Sequence, residues 1–389
     1  MYAFSQSPPI VENIFKHLRA RDLTNCAQVC KLWSSMSAIE LKRRKGISWF
    51  FKVAEVNVQD DVPDYNDACE QYISSFEYGL KKQLESLRVR PTFCIAFASY
   101  SFLEDFEVYY PTYIFGEPDL KKFKRESNLH KRKYLNSVMK IALGSHLPSR
   151  STIMFTIASG IIGCCSNAKV PEEVEDGFAL SGFCFPNIPG VEIHHFPVDG
   201  RKCDLSNLVP KETKIKCLLA FLTPRGTSII DKLVQSCLFR EESKVAVGGA
   251  IVDRTQSLSG SAVVFCGKNI EASSVIIGLN DKCEEELKNK LKIFQETGLL
   301  KNRCYAFMFA CVARGYSLFE KHNYESAIFH SMYPDIPLIG VFGNGEIGVN
   351  YFPHVSPENK VFQSGKFPRC VKKYLHSYTT VFVLISIED

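Results

Sequence analysis

The sequence has no apolar run of the roughly 18 residues that a membrane-spanning helix needs, so none of it is expected to cross a bilayer. It also lacks a charged-then-apolar signal segment at its start. The net charge of +5 is too small for 389 residues to indicate nucleic acid or a membrane as the main partner. The 15 cysteines are odd in number and follow no repeating spacing, which argues against a disulfide framework and favours a reducing compartment, the cytosol or nucleus.

Metal chemistry is not indicated either. Zinc sites use pairs of cysteine or histidine at matched spacing, and no such set stands out here. The candidates that we set aside are Cys26 with Cys30 on one helical face, Cys164-Cys165 and His194-His195. We therefore expect no metal and no cofactor. With 46% hydrophobic and 23% charged residues, the chain is typical of a globular protein, and its length indicates about two to three domains.

Residues 7–41 carry the first clear pattern. Ser7 is a candidate N-cap, and Pro8 stands at the first helical position, where a missing N–H is harmless. A wide apolar stripe then follows at helical spacing: Ile10, Val11, Ile14, Phe15 and Leu18. Asp22 is a candidate N-cap of a second helix, before further apolar residues that include Leu23 and Trp33. These short helices have more apolar surface than they can hide, so they must pack on another chain or on the rest of this one.

This stretch resembles the F-box, the trihelical module that binds the Skp-family adaptor of cullin-based ubiquitin ligases. The matching residues are Ile14-Phe15-x-x-Leu18, Asp22-Leu23 and Val29-Cys30-x-x-Trp33. One departure is that F-boxes usually open with Leu-Pro, where this sequence has Gln6-Ser7 followed by Pro8-Pro9, which would weaken the leading edge of the contact. The resemblance implies adaptor contacts from Pro8, Ile10, Ile14, Phe15, Leu18, Leu23, Val29, Cys30 and Trp33. The alternative is an ordinary amphipathic hairpin that packs on its own domain.

The rest of the chain alternates between helical and strand patterns, which predicts an α/β fold. We interpret the basic run 42–45 as a solvated helix end and Gly46 as the first domain boundary. We interpret the basic run 121–133 as a solvated face at the start of a helix, with a patch for nuclear import or for an anionic partner as the alternative. The predicted domains are 1–46, 47–240 and 241–389. Strands are expected at 47–58, 92–100, 152–162, 215–222, 244–252, 304–312, 337–342 and 376–387, and helices at 68–87, 229–239, 284–294 and 324–332.

Two stretches are weakly alike. Residues 177–196 and 260–277 both read strand, turn, strand, and each has a Phe-Cys pair before the turn. The likeness indicates two related lobes that each carry a hairpin, unless it arose by chance.

The peptides FMFACVARGY, FGNGEIG and LHSYTT resemble the C-terminal half of the FIST domain. Together, the two resemblances imply a non-catalytic substrate-recognition subunit of a Skp-cullin-F-box ubiquitin ligase. The F-box would bind the adaptor and through it the cullin, and the FIST body would bind protein substrates for ubiquitination and proteasomal degradation. Three alternatives remain: a small-molecule sensor without a ligase role, an enzyme that uses Cys311, and an adaptor outside the ubiquitin system.

Residues 343–348 spell G-x-G-x-x-G after a predicted strand. A dinucleotide-binding fingerprint needs a helix next, and Pro353 and Pro357 forbid a long one. Asn344-Gly345 is instead a strong hairpin-turn signal, so we do not expect nucleotide binding.

The glycine-rich strand ends could converge into a pocket. Arg314 beside Cys311 would lower the pKa of that thiol, and a base could come from His376 or Glu346. Arg314 and exposed backbone N–H groups would make the pocket attractive to an anion. The predicted pocket residues are Gly249, Cys311, Arg314, Asn344, Glu346 and His376. The structural interpretation is a buried cysteine among glycines that form tight turns.

Overall fold

The computed structural model describes residues 7–54, 65–101, 143–165, 170–198, 209–210, 212–241, 245–355 and 374–388. The predicted basic face at 121–133 lies outside these residues. The helices are α1 Pro8–Phe15, α2 Ala20–Cys26, α3 Lys31–Arg43, α4 Tyr65–Glu85, α5 Ile230–Glu241, α6 Glu284–Leu291, α7 Ile293–Glu296, α8 Tyr316–Phe319 and α9 Tyr324–Met332. The first three form an N-terminal head, and the remaining described residues form an α/β body.

The strands of the body are β1 Ser48–Val53, β2 Phe93–Ser99, β3 Thr152–Ala158, β4 Gly160–Cys164, β5 Pro171–Val174, β6 Ala179–Phe185, β7 Val191–Pro197, β8 Ile215–Leu222, β9 Ala246–Ile251, β10 Arg254–Thr255, β11 Gly260–Gly267, β12 Ile270–Ile277, β13 Arg303–Cys311, β14 Leu338–Gly343, β15 Glu346–Gly348, β16 Leu375–His376 and β17 Thr380–Ile387. They form three sheets. Sheet I has the order β1-β6-β2-β3-β10, sheet II β7-β11-β8-β9-β15-β16 and sheet III β12-β17-β13-β14-β4-β5.

All three sheets share one strand pattern. Each contains a single parallel pair among its described strands, β2–β3, β8–β9 or β13–β14, and every other pairing is antiparallel. On the side away from its parallel partner, the first strand of each pair is followed in the sheet by two antiparallel strands. We predicted two related lobes. The structure has three related units instead, one for each sheet.

Neighbouring units exchange strands. After β3 the chain enters sheet III as β4 and β5, after β9 it enters sheet I as β10, and after β14 it enters sheet II as β15 and β16. At these crossing points Ser159, Asp253 and Asn344 meet: the Ser159 hydroxyl donates to Asp253 Oδ2 at 3.2 Å, and Asn344 Nδ2 donates to Ser159 Oγ at 3.5 Å. The three units are thus interlocked.

The exchange corrects three predictions. The expected single strand at 152–162 is two strands in different sheets, because the chain changes sheet at Ser159. The two expected hairpins, β6 with β7 and β11 with β12, also join strands of different sheets. The Asn344-Gly345 turn is likewise no hairpin, since β14 belongs to sheet III and β15 to sheet II, although a strand rather than a helix does follow it.

One apolar core lies between the three sheets. Phe97 of β2, Phe221 of β8 and Phe309 of β13 occupy it together, with ring centroids 5.2 Å apart for the first two and 5.6 Å for the last two. Helix α4 covers the outer face of sheet I, α5 that of sheet II, and α6 with α9 that of sheet III. Each sheet is therefore buried on both faces, which explains why β2, β8 and β13 could be predicted as continuous apolar runs.

Candidate functional site

The head has a small core of its own. Val11, Phe15 and Leu23 are almost fully buried, and the Trp33 ring meets the Phe15 ring edge-on at 5.5 Å. The Cys30 sulfur accepts the backbone N–H of Trp33 at 3.5 Å and so begins α3. The Ser7 hydroxyl makes no cap bond, contrary to the prediction, and α2 begins at Ala20, which places Asp22 in its first turn rather than at its N-cap.

The predicted adaptor contacts divide into two groups. Phe15 and Leu23 point into the head's own core, so they cannot contact a partner directly. Ile14 is 53% exposed and Val29 is 64% exposed. Pro8 and Cys30 are exposed too, whereas Ile10, Leu18 and Trp33 are half-buried. We define the exposed and half-buried members of the set as the docking face of the head: Pro8, Ile10, Ile14, Leu18, Val29, Cys30 and Trp33.

Arg44 joins the head to the body. Its guanidinium donates to the carbonyls of Phe15 at 2.9 Å and Leu18 at 2.8 Å in the head, and to that of Arg88 at 2.7 Å in the body. Its Nε donates to Glu40 at 2.9 Å, and its side chain is only 9% exposed. The interpretation of residues 42–45 as a solvated helix end is therefore wrong at Arg44, and the sequence holds no signal that separates it from the neighbouring cations.

Further contacts support this joint. The Ala20 N–H donates to the Leu87 carbonyl at 3.1 Å, and Arg88 Nη2 donates to the Lys16 carbonyl at 2.7 Å. Arg21 also pairs with Glu85 at the end of α4. The head is thus held to the body by a set of reciprocal hydrogen bonds rather than by the linker alone.

The predicted C-terminal pocket residues do come together. Cys311 ends β13 beside Gly343, and Glu346 lies opposite both Ala250 of β9 and His376 of β16. Asn344 is exposed in the turn between β14 and β15. Gly249 is paired with Ile347, and a Cβ there would approach the Ala220 carbonyl oxygen to 1.9 Å, so this glycine is required for close packing of the strands.

Arg314 is not available to an anion. It is 1% exposed and forms a two-pronged ion pair with the buried Glu325, at 2.8 Å and 3.3 Å. Its Nη atoms also donate to the carbonyls of Gly278 at 2.9 Å, Asp281 at 3.0 Å and Tyr378 at 3.3 Å. The predicted anion-binding role is therefore wrong, and Arg314 instead holds together the loop between β12 and α6, the loop between β16 and β17, and helix α9. Glu325, which sequence reasoning missed, had no distinguishing pattern around it.

The pair of Cys311 and Glu346 is electrostatically unusual. Glu346 is fully buried. Its Oε2 accepts hydrogen bonds from the backbone N–H of Thr379 at 3.1 Å and from the Thr379 hydroxyl at 2.8 Å. Its Oε1 has no hydrogen-bond partner among the described residues. Burial raises the pKa of Glu346 to about 7. Burial and the nearby Glu346 carboxylate also raise the pKa of the Cys311 thiol, the opposite of the expected lowering. A protonated thiol is a weak nucleophile, so the geometry does not favour covalent catalysis.

His376 does not supply a base at this pair. Its Nε2 lies 2.9 Å from the carbonyl oxygen of Gly348, and burial lowers its pKa.

Across the described ranges, no group of three or more His, Cys, Asp or Glu is arranged to hold a metal ion. In the same ranges, no helix is both long and apolar enough to cross a membrane.

Two segments of the chain match models of known protein families. A family model described as F-box-like matches residues 8–47, and one described as the FIST C domain matches residues 231–349. The predicted boundary near residue 240 stays a prediction, and α5 runs across it.

Two curated relatives match along almost the whole chain. F-box only protein 22 of Homo sapiens and that of Pongo abelii are each 23% identical to it over 414 aligned residues, which cover 99% of this chain and 94% of theirs. A crystal structure of cyanuric acid hydrolase from A. caulinodans covers 88% of this chain and 99% of its own at 7% identity, but its TM-score of 0.29 is too low to indicate a shared fold. The chain therefore carries one segment that matches the F-box-like model and one that matches the FIST C domain model, and it is similar to F-box only protein 22 along nearly its whole length.

Proposed function

We propose that this chain is the substrate-recognition subunit of a Skp-cullin-F-box ubiquitin ligase. The observation that carries the proposal is the docking face of an F-box-like head. Ile14 and Val29 expose large apolar surfaces within one small module, and no described part of the body covers them. Exposed apolar patches of this kind mark protein-binding sites.

The docking face would bind the Skp-family adaptor, and through it the cullin. Trp33 is well placed to lie at the centre of the contact, because it is half-buried beside exposed Val29 and Cys30 while its ring rests on Phe15. Large aromatic side chains supported in this way typically dominate the binding energy of an interface. Phe15 and Leu23 would act indirectly, by holding the helices in place.

The body would bind the protein to be ubiquitinated. In this mechanism no residue of the chain reacts. Holding a substrate near the ubiquitin-loaded conjugating enzyme raises the effective concentration of its lysines, commonly to about millimolar for short tethers. The joint at Arg44 supports this role, because it fixes the body relative to the adaptor-binding head.

The test is co-purification of the full chain with a Skp-family adaptor. We expect a one-to-one complex that Ile14→Asp abolishes, since a carboxylate would be buried against an apolar partner surface. Tyr78→Asp is the matched control, because Tyr78 is 70% exposed on α4 of the body and outside the docking face. If no complex forms, or if Ile14→Asp binds as well as Tyr78→Asp, the proposal fails. A reconstituted ligase that modifies a body-bound substrate then tests the downstream step.

A further inference from the structure

Two buried cysteines face each other in the interior of sheet I. Cys94 on β2 and Cys184 on β6 are directly opposite in the register of the two strands, although 90 positions separate them along the chain. Their sulfur atoms lie 3.9 Å apart, and neither residue has any exposed surface. Both are free thiols. The fold itself therefore brings them into contact, and we call these two residues the thiol pair.

The backbone at the thiol pair has the geometry of a cross-strand disulfide site. β6 lies between β1 and β2, so the backbone groups of alternate β6 residues face alternate neighbours. The Phe178 carbonyl accepts the N–H of Ala54 at 2.9 Å from the β1 side, and since the pattern repeats every second residue, the backbone groups of Cys184 face β1 as well. Cys184 and Cys94 are therefore a non-hydrogen-bonded pair, with Cα atoms about 4.5 Å apart. Disulfides span Cα distances of about 4.4 to 6.8 Å, so the strand spacing already suits one.

The repeated fold supplies two internal comparisons. Cys94 and Cys304 are each the second residue of the first parallel strand in their sheet, and Cys304 lies opposite the buried Ser386, whose hydroxyl replaces the second thiol. In sheet II, Cys217 and Cys266 lie on the neighbouring strands β8 and β11, but they are not opposite each other and they pack on different faces of the sheet. Within the described strands, sheet I alone places two cysteines opposite each other.

Helix α4 shields the thiol pair. Phe76, Leu80 and Leu84 of α4 lie in one apolar cluster with both cysteines on the outer face of sheet I. The contact with Cys184 and burial raise the pKa of the Cys94 thiol well above its ordinary value, so little reactive thiolate exists while the sheet is closed. Oxidation is therefore expected to be slow in the closed body and faster when α4 or the sheet opens.

We propose that the thiol pair is a site of reversible oxidation, at which a hydroperoxide converts Cys94 and Cys184 into a disulfide that joins β2 to β6. With hydrogen peroxide, one thiolate attacks the O–O bond, forms a sulfenic acid and, after proton transfer, releases water. The second sulfur attacks the sulfenic sulfur, forms the S–S bond and releases a second water. Two thiols are thus oxidised and one peroxide is reduced, to give one disulfide and two water molecules. Exchange with a dithiol reductant reverses the reaction.

The disulfide would stabilise the body. It closes a long loop of the chain, and a long closed loop restricts the unfolded chain more than a short one does. In a reducing compartment the resting form is the dithiol, so the stability of the body would follow the peroxide level. This inference goes beyond the proposed ligase role and does not depend on it, because its readouts need no adaptor.

The experiment treats the reduced full chain with hydrogen peroxide, in buffer and in urea below the unfolding midpoint. Remaining thiols are alkylated in denaturant, and the unreduced peptides are mapped by mass spectrometry. We expect a linked pair of peptides that carries Cys94 and Cys184, forms faster in urea and separates on reduction. The urea midpoint of the oxidised chain should lie above that of the reduced chain.

Cys184→Ser is the control, because it copies the cysteine–serine pair of sheet III. In this variant peroxide should neither link Cys94 to another cysteine nor raise the urea midpoint, whereas Cys217→Ser should behave like the parent. The proposal is overturned if the parent gives no peptide that links Cys94 to Cys184, if Cys94 is linked to a different cysteine, or if peroxide raises the midpoint equally in Cys184→Ser. Mapping of the parent needs no variant, so a folding defect in Cys184→Ser would not obscure that result.

Discussion

In the head, apolar side chains of the same chemical class divide between two roles. Phe15 and Leu23 build the core of the head, whereas Ile14 and Val29 stay exposed. The sequence predicts that all of them are apolar helix positions, but it does not reveal which face turns inward, because that depends on how three short helices cross. The F-box pattern falls on the segment that the F-box-like model matches, but its residues include buried side chains of the head's core as well as exposed ones.

Trp33 belongs to both groups, which makes its substitution informative. We expect Trp33→Ala to weaken adaptor binding by about 2 kcal/mol, since it removes a supported aromatic contact. Calorimetric titration of the adaptor measures this, with Trp33→Phe as the control that keeps a ring against Phe15. Unchanged affinity for Trp33→Ala, with the head still folded, would remove Trp33 from the interface.

Glu346 predicts a pH dependence of stability. Its folded-state pKa of about 7 lies above its ordinary value of 4.5, so the folded chain holds this proton more tightly than the unfolded chain does. Between about pH 4.5 and about pH 7 only the folded chain keeps this proton. The free energy of unfolding should therefore fall across that range by roughly 1 kcal/mol per pH unit, and it should become level above about pH 8.

Urea unfolding at several pH values measures this slope. Glu346→Gln should flatten its share of the slope, because an amide does not titrate. Glu192→Gln, at an exposed position of β7, is the matched control for the removal of one carboxyl group. An identical slope in Glu346→Gln and the parent would show that this carboxyl ionises normally in the folded protein.

At the scale of single elements, the prediction from sequence succeeds where one apolar run makes one strand. The runs that became β2, β8 and β13 are examples, and α9 lies where its periodicity places it. The prediction fails where a run continues through a change of sheet. Residues 152–162 stay apolar on both sides of Ser159 because both strands are buried, so hydrophobicity alone carries no mark of the crossing. Strand exchange is a long-range property that local periodicity cannot report.

Arg44, just after α3, contacts both the segment 15–18 of the head and Arg88, which follows α4 in the body. We expect Arg44→Ala to loosen the head from the body while leaving adaptor affinity unchanged, because Arg44 lies outside the docking face. Limited trypsin digestion should then release the head faster by cleavage after Lys45, as followed by mass spectrometry. Arg43→Ala is the control, since Arg43 is exposed and pairs only with Glu12 within the head, by the contacts described. Equal cleavage rates in the two variants would argue against a rigid joint at Arg44.

For the whole molecule, the exchange of strands means that no sheet is complete without residues from the next unit. We therefore expect the body, residues 47–389, to unfold in one cooperative transition despite its three sheets. Circular dichroism and the emission of Trp49 should report the same midpoint in urea. Two separate midpoints would show that the units unfold independently and that the interlocking contributes little to stability.

The same interlocking constrains the order of events during synthesis. β17 lies between β12 and β13 in the middle of sheet III, and it is translated after every other described strand. Once β13 is complete and while the ribosome adds residues 312–379, the edges of β12 and β13 that later pair with β17 have no partner. The core of the head contains only residues from the first part of the chain, so it can form much earlier. An emerging chain would therefore present its folded head before its body is closed, and during that interval the unpaired edges are exposed to chaperones and to aggregation.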